Sequence, residues 1–311
     1  MPRHRTIAGI ALSFLAACGE PAASHDGSGR LRVVASTPMV ADVARAVGGD
    51  RVDVVTLVGP GVDPHLFRPT RAAVAEIVAA DLVVTNGLHL EGRLGAALGR
   101  VEAAGRPVVA VAEAVPEEML LEEEGAADPH VWMDASLWAK TASPVAEAMA
   151  AVDPANASGY RERAAEFARE AESLDAELAA MYATIPDGRR TLVTAHDAFG
   201  YLGRRYGIEV VGVQGLSTES EAGLRDLEAT VAMLVERKIP AVFVESTVSP
   251  RTVQALVDGA RARGHEVRIG GTLFSDSTGP IGSGAETWAG MLRANARTIV
   301  EALAKETIDG R

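Results

Sequence analysis

The tripeptide Asp-Pro-His occurs twice in this 311-residue chain, at 63–65 within VDPHLFRP and at 128–130 within DPHVWMD. Proline fixes its own φ, lacks an N–H and holds the preceding residue extended, so each imidazole starts from a stiff stalk with little freedom left to lose. A histidine that merely fills a core needs no such stalk. Of the seven histidines, His4 and His25 precede the first strand-like run. His65, His130 and His196 each lie just beyond the carboxyl end of a β-branched run, respectively VDVVTLV, PVVAVAE and TLVTA. In open α/β sheets that edge is where ligands bind. Three neutral imidazoles gathered there call for a divalent cation. Asp276, in TLFSDSTGP beyond the strand-like HEVRIGG, is the expected fourth ligand. Glu245, at the end of AVFVES, competes for that place as a ligand, an outer acceptor or a loop-fixing group. Asp63 and Asp128 either hold their turns or accept from an imidazole N–H. His89, in NGLHLEG, lacks the stalk and precedes a helix start, so packing or capping is expected of it; His265 opens a strand at the wrong edge.

The elements that must carry these residues follow from periodicity. From Leu31 onward, short β-branched runs alternate with helical patterns at 38–47, 70–80 and 92–104, and a second such series starts at TLVTA. This is the pattern of βαβ units and mainly parallel sheets, and it predicts two similar α/β lobes. Between them, Asp153 reads as an N-cap with Pro154 at the first helical position. Tyr160, Ala164, Phe167, Ala171, Leu174, Leu178 and Met181 then draw one apolar stripe in steps of four and three. A single helix of about 29 residues, roughly 43 Å long, is predicted as a stiff backbone for both lobes. The boundaries are an N-terminal lobe at 31–152, the linker helix at 153–185 and a C-terminal lobe at 186–311. Residues 120–128, LLEEEGAAD, read as a solvated loop.

Ahead of the lobes, residues 1–17 combine a basic start, an apolar run too short for comfortable membrane spanning, and small residues before Cys18. They read as an export signal, and LAACG at 15–19 looks like a bacterial lipobox with Cys18 as the lipidated thiol. Cys18 is the only cysteine, so no internal disulfide can form. Residues 18–30 are expected to be a flexible tether. Composition is 48% hydrophobic and only 4% aromatic, with a formal charge of −12, which argues against nucleic acid as a partner.

Taken together, VDPHLFRPT, NGLHLEG, DPHVWMD, TAHDAFGYLGRRYG, VFVEST and GGTLFSDSTG resemble, in order and over the whole mature chain, the TroA-like, or cluster A-I, metal-binding lipoproteins of bacterial ABC importers. The resemblance implies ligands at His65, His130, His196 and Asp276, a cleft between lobes, small opening movements limited by the helix, and a monomer. It further implies Zn²⁺ or Mn²⁺, with Fe²⁺ as another candidate, as cargo for an ABC permease and its ATPase. Residues 117–127 contain acids but no histidine, unlike the His-rich loop of dedicated zinc importers, whereas manganese-associated branches commonly place Glu where His196 stands. Imidazole-rich sites favour Zn²⁺ over Mn²⁺ by intrinsic affinity.

Two other functions compete with capture and delivery. A metal-dependent hydrolase needs an open coordination position and a nearby base, for which Glu245 is available, but four protein ligands close a tetrahedral site and no H-E-x-x-H helix is present. A surface adhesin with a structural metal gains only from the lipid anchor. The expectation is therefore a protein that is not an enzyme, exported and held at a membrane through Cys18.

Overall fold

The computed structural model describes residues 29–123 and 125–304; the residues read as an export signal, Cys18 and nearly all of the expected tether lie outside them. The first lobe contains β1 (Leu31–Ala35), α1 (Pro38–Gly48), β2 (Val52–Thr56), α2 (Arg71–Ala79), β3 (Leu82–Thr85), α3 (Gly95–Ala103) and β4 (Val108–Ala110). A two-residue hairpin follows, β5 (Glu122–Glu123) with β6 (Ala126–Ala127), and then α4 (Ala135–Trp138) and α5 (Ala142–Val152). The first four strands form one parallel sheet in the order β2-β1-β3-β4. Thr37 and Thr70 cap α1 and α2 by accepting the N–H groups of Val40 and Ala73, which fixes where each crossover leaves the sheet edge.

After α6 (Ala157–Tyr182), the second lobe contains β7 (Thr191–His196), α7 (Gly200–Tyr206), β8 (Glu209–Gln214), α8 (Leu224–Glu236), β9 (Ala241–Glu245), α9 (Arg251–Ala262), β10 (Arg268–Leu273) and α10 (Trp288–Ala304). Parallel ladders join β7 to β8 and β9 to β10, and β7 lies alongside β9. Each lobe has a local core: Val34, Ile77, Val83 and Leu94 in the first, Val193, Leu234, Val242 and Leu256 in the second. A larger core runs through both, from Val33 and Met39 past Phe167 and Leu174 of α6 to Met291 and Ile299 of α10. The two-lobed α/β prediction therefore holds, with α6 packed against α1 and α5 on one side and α10 and α7 on the other.

Several boundaries depart from the sequence reading. Asp153 stands at the N-cap position with Pro154 first in the helical segment, as expected, but residues Pro154–Asn156 form a 3₁₀ turn and the α-helix begins at Ala157. The Asp153 carboxylate instead accepts from Asn156 Nδ2 and from the Tyr160 hydroxyl, both at 2.7 Å, and so is drawn away from the first-turn N–H groups. The helix has 26 residues, roughly 39 Å long. Tyr160 to Leu178 of the stripe are buried as predicted, but Tyr182 takes the buried place next to a half-buried Met181. Residues 120–128 are not simply solvated, since Leu120 and Leu121 pack against the large core and anchor the hairpin. His265 precedes β10 rather than opening it, with Nε2 2.8 Å from the Ile239 carbonyl. His89 is exposed with φ +65, so its side chain does not pack; its carbonyl accepts from Gly92 N at 3.2 Å.

Candidate metal centre

Each sequence-predicted histidine is delivered by the end of a strand or by the loop that follows it. Beyond β2, the Asp63 side chain folds back so that Oδ1 accepts the His65 N–H at 2.8 Å. The second stalk repeats this and extends it: Asp128 Oδ1 accepts both the His130 N–H, at 2.8 Å, and the ring Nδ1–H, at 2.7 Å. That second bond fixes the tautomer and leaves Nε2 to face inward. Asn86 holds the same stalk by donating to the Pro129 carbonyl at 3.0 Å. His196 is the last residue of β7, and Glu245, the last of β9, accepts its N–H through Oε1 at 2.9 Å and lies 2.5 Å from its Nδ1 through Oε2. Gly212 of β8 lets the chain just past His196 lie close to β8, because a Cβ there would stand 2.6 Å from Asp197 N.

Asp276 follows β10 and completes the group. Its Oδ1 is 3.2 Å from His130 Nε2, its Oδ2 is 3.3 Å from His196 Nε2, and His65 Nε2 is 3.4 Å from His130 Nε2. One ligand atom from each of His65, His130, His196 and Asp276 lies within 4.8 Å of all the others. His130, His196 and Asp276 are fully buried and His65 is 7% exposed. His196 Nε2 and Asp276 Oδ1 are buried without a hydrogen bond, a costly arrangement unless something else satisfies them. Three imidazole nitrogens and one carboxylate oxygen suit a dication in tetrahedral coordination, with Asp128 and Glu245 orienting two of the imidazoles from behind.

Titration follows from the same contacts. Burial pulls His65 below its usual range. Burial also pulls on His130, but Asp128 and then Asp276 outweigh it and push the imidazole up to about 9. His196 is likewise held well above its usual range, with Glu245 and Asp276 overcoming burial. Burial opposes ionisation of Asp276, and the adjacent His196 and His130 prevail, keeping that carboxyl well below its usual value.

The structure thus brings together all four residues expected to meet, and puts Glu245 and Asp128 behind the imidazoles. Asp63 acts on the His65 backbone and, through Oδ2, accepts the Thr218 hydroxyl from the opposite lobe at 2.6 Å. Sequence reasoning did not single out Thr218, Thr247, Tyr201 or Trp132. Thr247 Oγ1 donates to Asp276 Oδ2 at 3.3 Å, and Tyr201 OH donates to the Asp128 carbonyl at 2.8 Å. Trp132 stands edge-on to His130 with ring centroids 5.2 Å apart, and Trp138 and Trp288 continue the aromatic contact at 6.3 and 6.4 Å. Of these, Trp132, Tyr201 and Thr247 had a signal, their places inside DPHVWMD, TAHDAFGYLGRRYG and VFVEST, whereas Thr218 had none.

Fold and site together define a two-lobed α/β metal-binding protein whose candidate ligands are contributed by both lobes. The chain belongs to the family of the periplasmic zinc-uptake complex component A, ZnuA, whose model matches residues 33–302. It is 41% identical over 298 residues to the zinc-binding protein TroA of Treponema pallidum (strain Nichols), covering 96% of each chain. Identity is also 41% over 291 residues to the manganese-binding lipoprotein MntA of Bacillus subtilis (strain 168), covering 93% of this chain and 95% of MntA. The manganese ABC transporter substrate-binding lipoprotein PsaA of Streptococcus mitis is 28% identical over 304 residues, with 95% and 96% covered. The solved structure of T. pallidum periplasmic zinc-binding TroA superposes with a TM-score of 0.86, covering 89% of this chain and all of that one.

Proposed function

We propose that this protein captures one divalent transition-metal ion, Zn²⁺ or Mn²⁺, outside the cytoplasmic membrane and delivers it to an ABC permease driven by its ATPase. The observation that carries the proposal is the meeting of His65, His130, His196 and Asp276, two from each lobe, with one ligand atom of each within 4.8 Å of the others. Those four are the ligands in this reading, and the lobes are 31–152 and 186–311 with 153–185 between them. A cation that joins ligands from both lobes favours the closed arrangement to the extent that it binds that state better. Lipid on Cys18 holds the protein at a membrane, a reading supported by the LAACG sequence and by the lipoprotein names of MntA and PsaA. The protein acts as a monomeric carrier without turnover: Glu245, the available base for a hydrolase, is engaged with His196 through both oxygens.

Thermal unfolding with and without metal tests the proposal. A site-specific ion at 100 times its Kd adds about 2.7 kcal/mol to stability, so chelation should lower the midpoint and Zn²⁺ or Mn²⁺ should restore it. An unchanged midpoint would overturn the site. Elemental analysis of protein purified from its native envelope then identifies the cargo.

A further inference from the structure

The loops that bear the candidate ligands do not cross the cleft with equal security. The 128–132 segment is tied to the second lobe by buried bonds: Trp132 Nε1 donates to the Ser275 carbonyl at 2.9 Å, Trp288 Nε1 to the Trp132 carbonyl at 2.9 Å, and Tyr201 OH to the Asp128 carbonyl at 2.8 Å. The loop around His65 is held by more accessible contacts. Thr218 Oγ1 donates to Asp63 Oδ2 at 2.6 Å and Gly61 N to Ser277 Oγ at 2.8 Å, both half-buried, beside the ion pair of Arg93 with Glu219 at 2.7 Å. His65 is also the one member of the group that solvent reaches, and its neighbours Val62 and Leu66 are each 43% exposed. Asp63 joins the two facts, because one oxygen holds the His65 N–H and the other holds Thr218. The Asp63 side chain therefore links the residue that holds His65 directly to the opposite lobe, beside the Gly61–Ser277 contact of the same loop.

We infer that the Thr218–Asp63 hydrogen bond is a latch, with Thr218 a positioning residue whose contact sets the rate at which the bound divalent cation leaves. The inference rests on the metal-capture reading. Opening starts on this side of the cleft: the hydroxyl lets go, the His65 stalk swings with its loop, and the ion is left on His130, His196 and Asp276 until the lobes part. A contact that this opening breaks acts chiefly on departure, as most affinity differences within related complexes do.

The test uses the full chain loaded with Zn²⁺ and mixed rapidly with excess chelator. Thr218→Val removes the hydroxyl and keeps the shape. Loss of a hydrogen bond to a charged acceptor predicts release about tenfold faster, with association changed by less than about twofold. Thr218→Ser, which retains the hydroxyl, should return release to the wild-type rate. Should Thr218→Val fail to fold, Thr218→Ala, which also lacks the hydroxyl, carries the same test with faster release expected. Release at the wild-type rate from a folded Thr218→Val, or from Thr218→Ala in its place, overturns the latch. His130→Ala separates the two readings: if it abolishes Zn²⁺ binding while the latch variants release normally, capture stands and the latch falls; if it binds as wild type, the capture reading itself fails.

Discussion

Asp128 and Glu245 perform the same task on different histidines: each accepts a backbone N–H and lies against the ring Nδ1 of one residue, aiming its Nε2 at the common centre. Outer carboxylates of this kind are worth about 10–100-fold in metal affinity. Glu245→Gln is expected to weaken Zn²⁺ binding by about that factor while the lobe stays folded, measured by competition with a chromophoric chelator. Protonation gives a second prediction. In the metal-free closed arrangement the His130 pKa is raised to about 9 and that of His196 also lies above its usual range. A raised imidazole pKa stabilises the metal-free fold fully below the unfolded value of about 6.5, and that contribution disappears as pH rises through about 9. Metal competes with these protons, so its stabilising effect runs the other way and grows from pH 6 toward 9. Zn²⁺ binding should release protons, from His130 and His196, read by titration calorimetry in buffers of different ionisation enthalpy. The four meeting residues were legible because strand ends and proline stalks are local features. The split between Asp128, which reaches its ring, and Asp63, which reaches Thr218, was not: it depends on how the second lobe is rotated, which no local spacing encodes.

Among the elements, the linker helix was legible in its stripe and in the place of its start, though not in the 3₁₀ form of its first turn. Steps of three and four between Tyr160 and Leu178 report a buried face whatever lies opposite. The first turn depends instead on whether Asp153 turns to its own backbone or to the Tyr160 hydroxyl, a choice made by packing. Leu174 lies at the centre of the stripe, 2% exposed, in the core shared by both lobes. Leu174→Ala is expected to cost about 2–5 kcal/mol in chemical denaturation, with metal affinity changed far less because no ligand is on α6. The acidic segment before His130 was misjudged for a related reason. Its charges suggested solvent, while Leu120 and Leu121 beside them supply the anchor, and Leu121 N donates to Tyr201 OH at 3.1 Å.

At the scale of the whole molecule, the two lobes share a large interior in addition to the local core of each. The largest core contains Val33 and Val84 of the first sheet, Phe167 of α6, and Leu192, Phe243 and Ile299 of the second lobe. Heating the metal-free protein should therefore give one cooperative transition, with calorimetric and van't Hoff enthalpies in agreement; two resolved transitions would contradict the shared core. The alternation of strands and helices disclosed two sheets, but a core continuous across them is a property of the docked lobes and left no periodic trace in either.

All three tryptophans of the chain, Trp132, Trp138 and Trp288, belong to the aromatic file that starts at His130. The intrinsic ultraviolet emission of this protein thus originates beside the candidate metal centre. A protonated imidazole quenches excited indole more strongly than a neutral one, so loading with diamagnetic Zn²⁺, by removing that proton, should brighten the emission. Paramagnetic Mn²⁺ placed at the same nitrogens should brighten it less or dim it. The molecule consequently carries an unlabelled optical gauge of its own occupancy, and Trp132→Phe should remove most of that response.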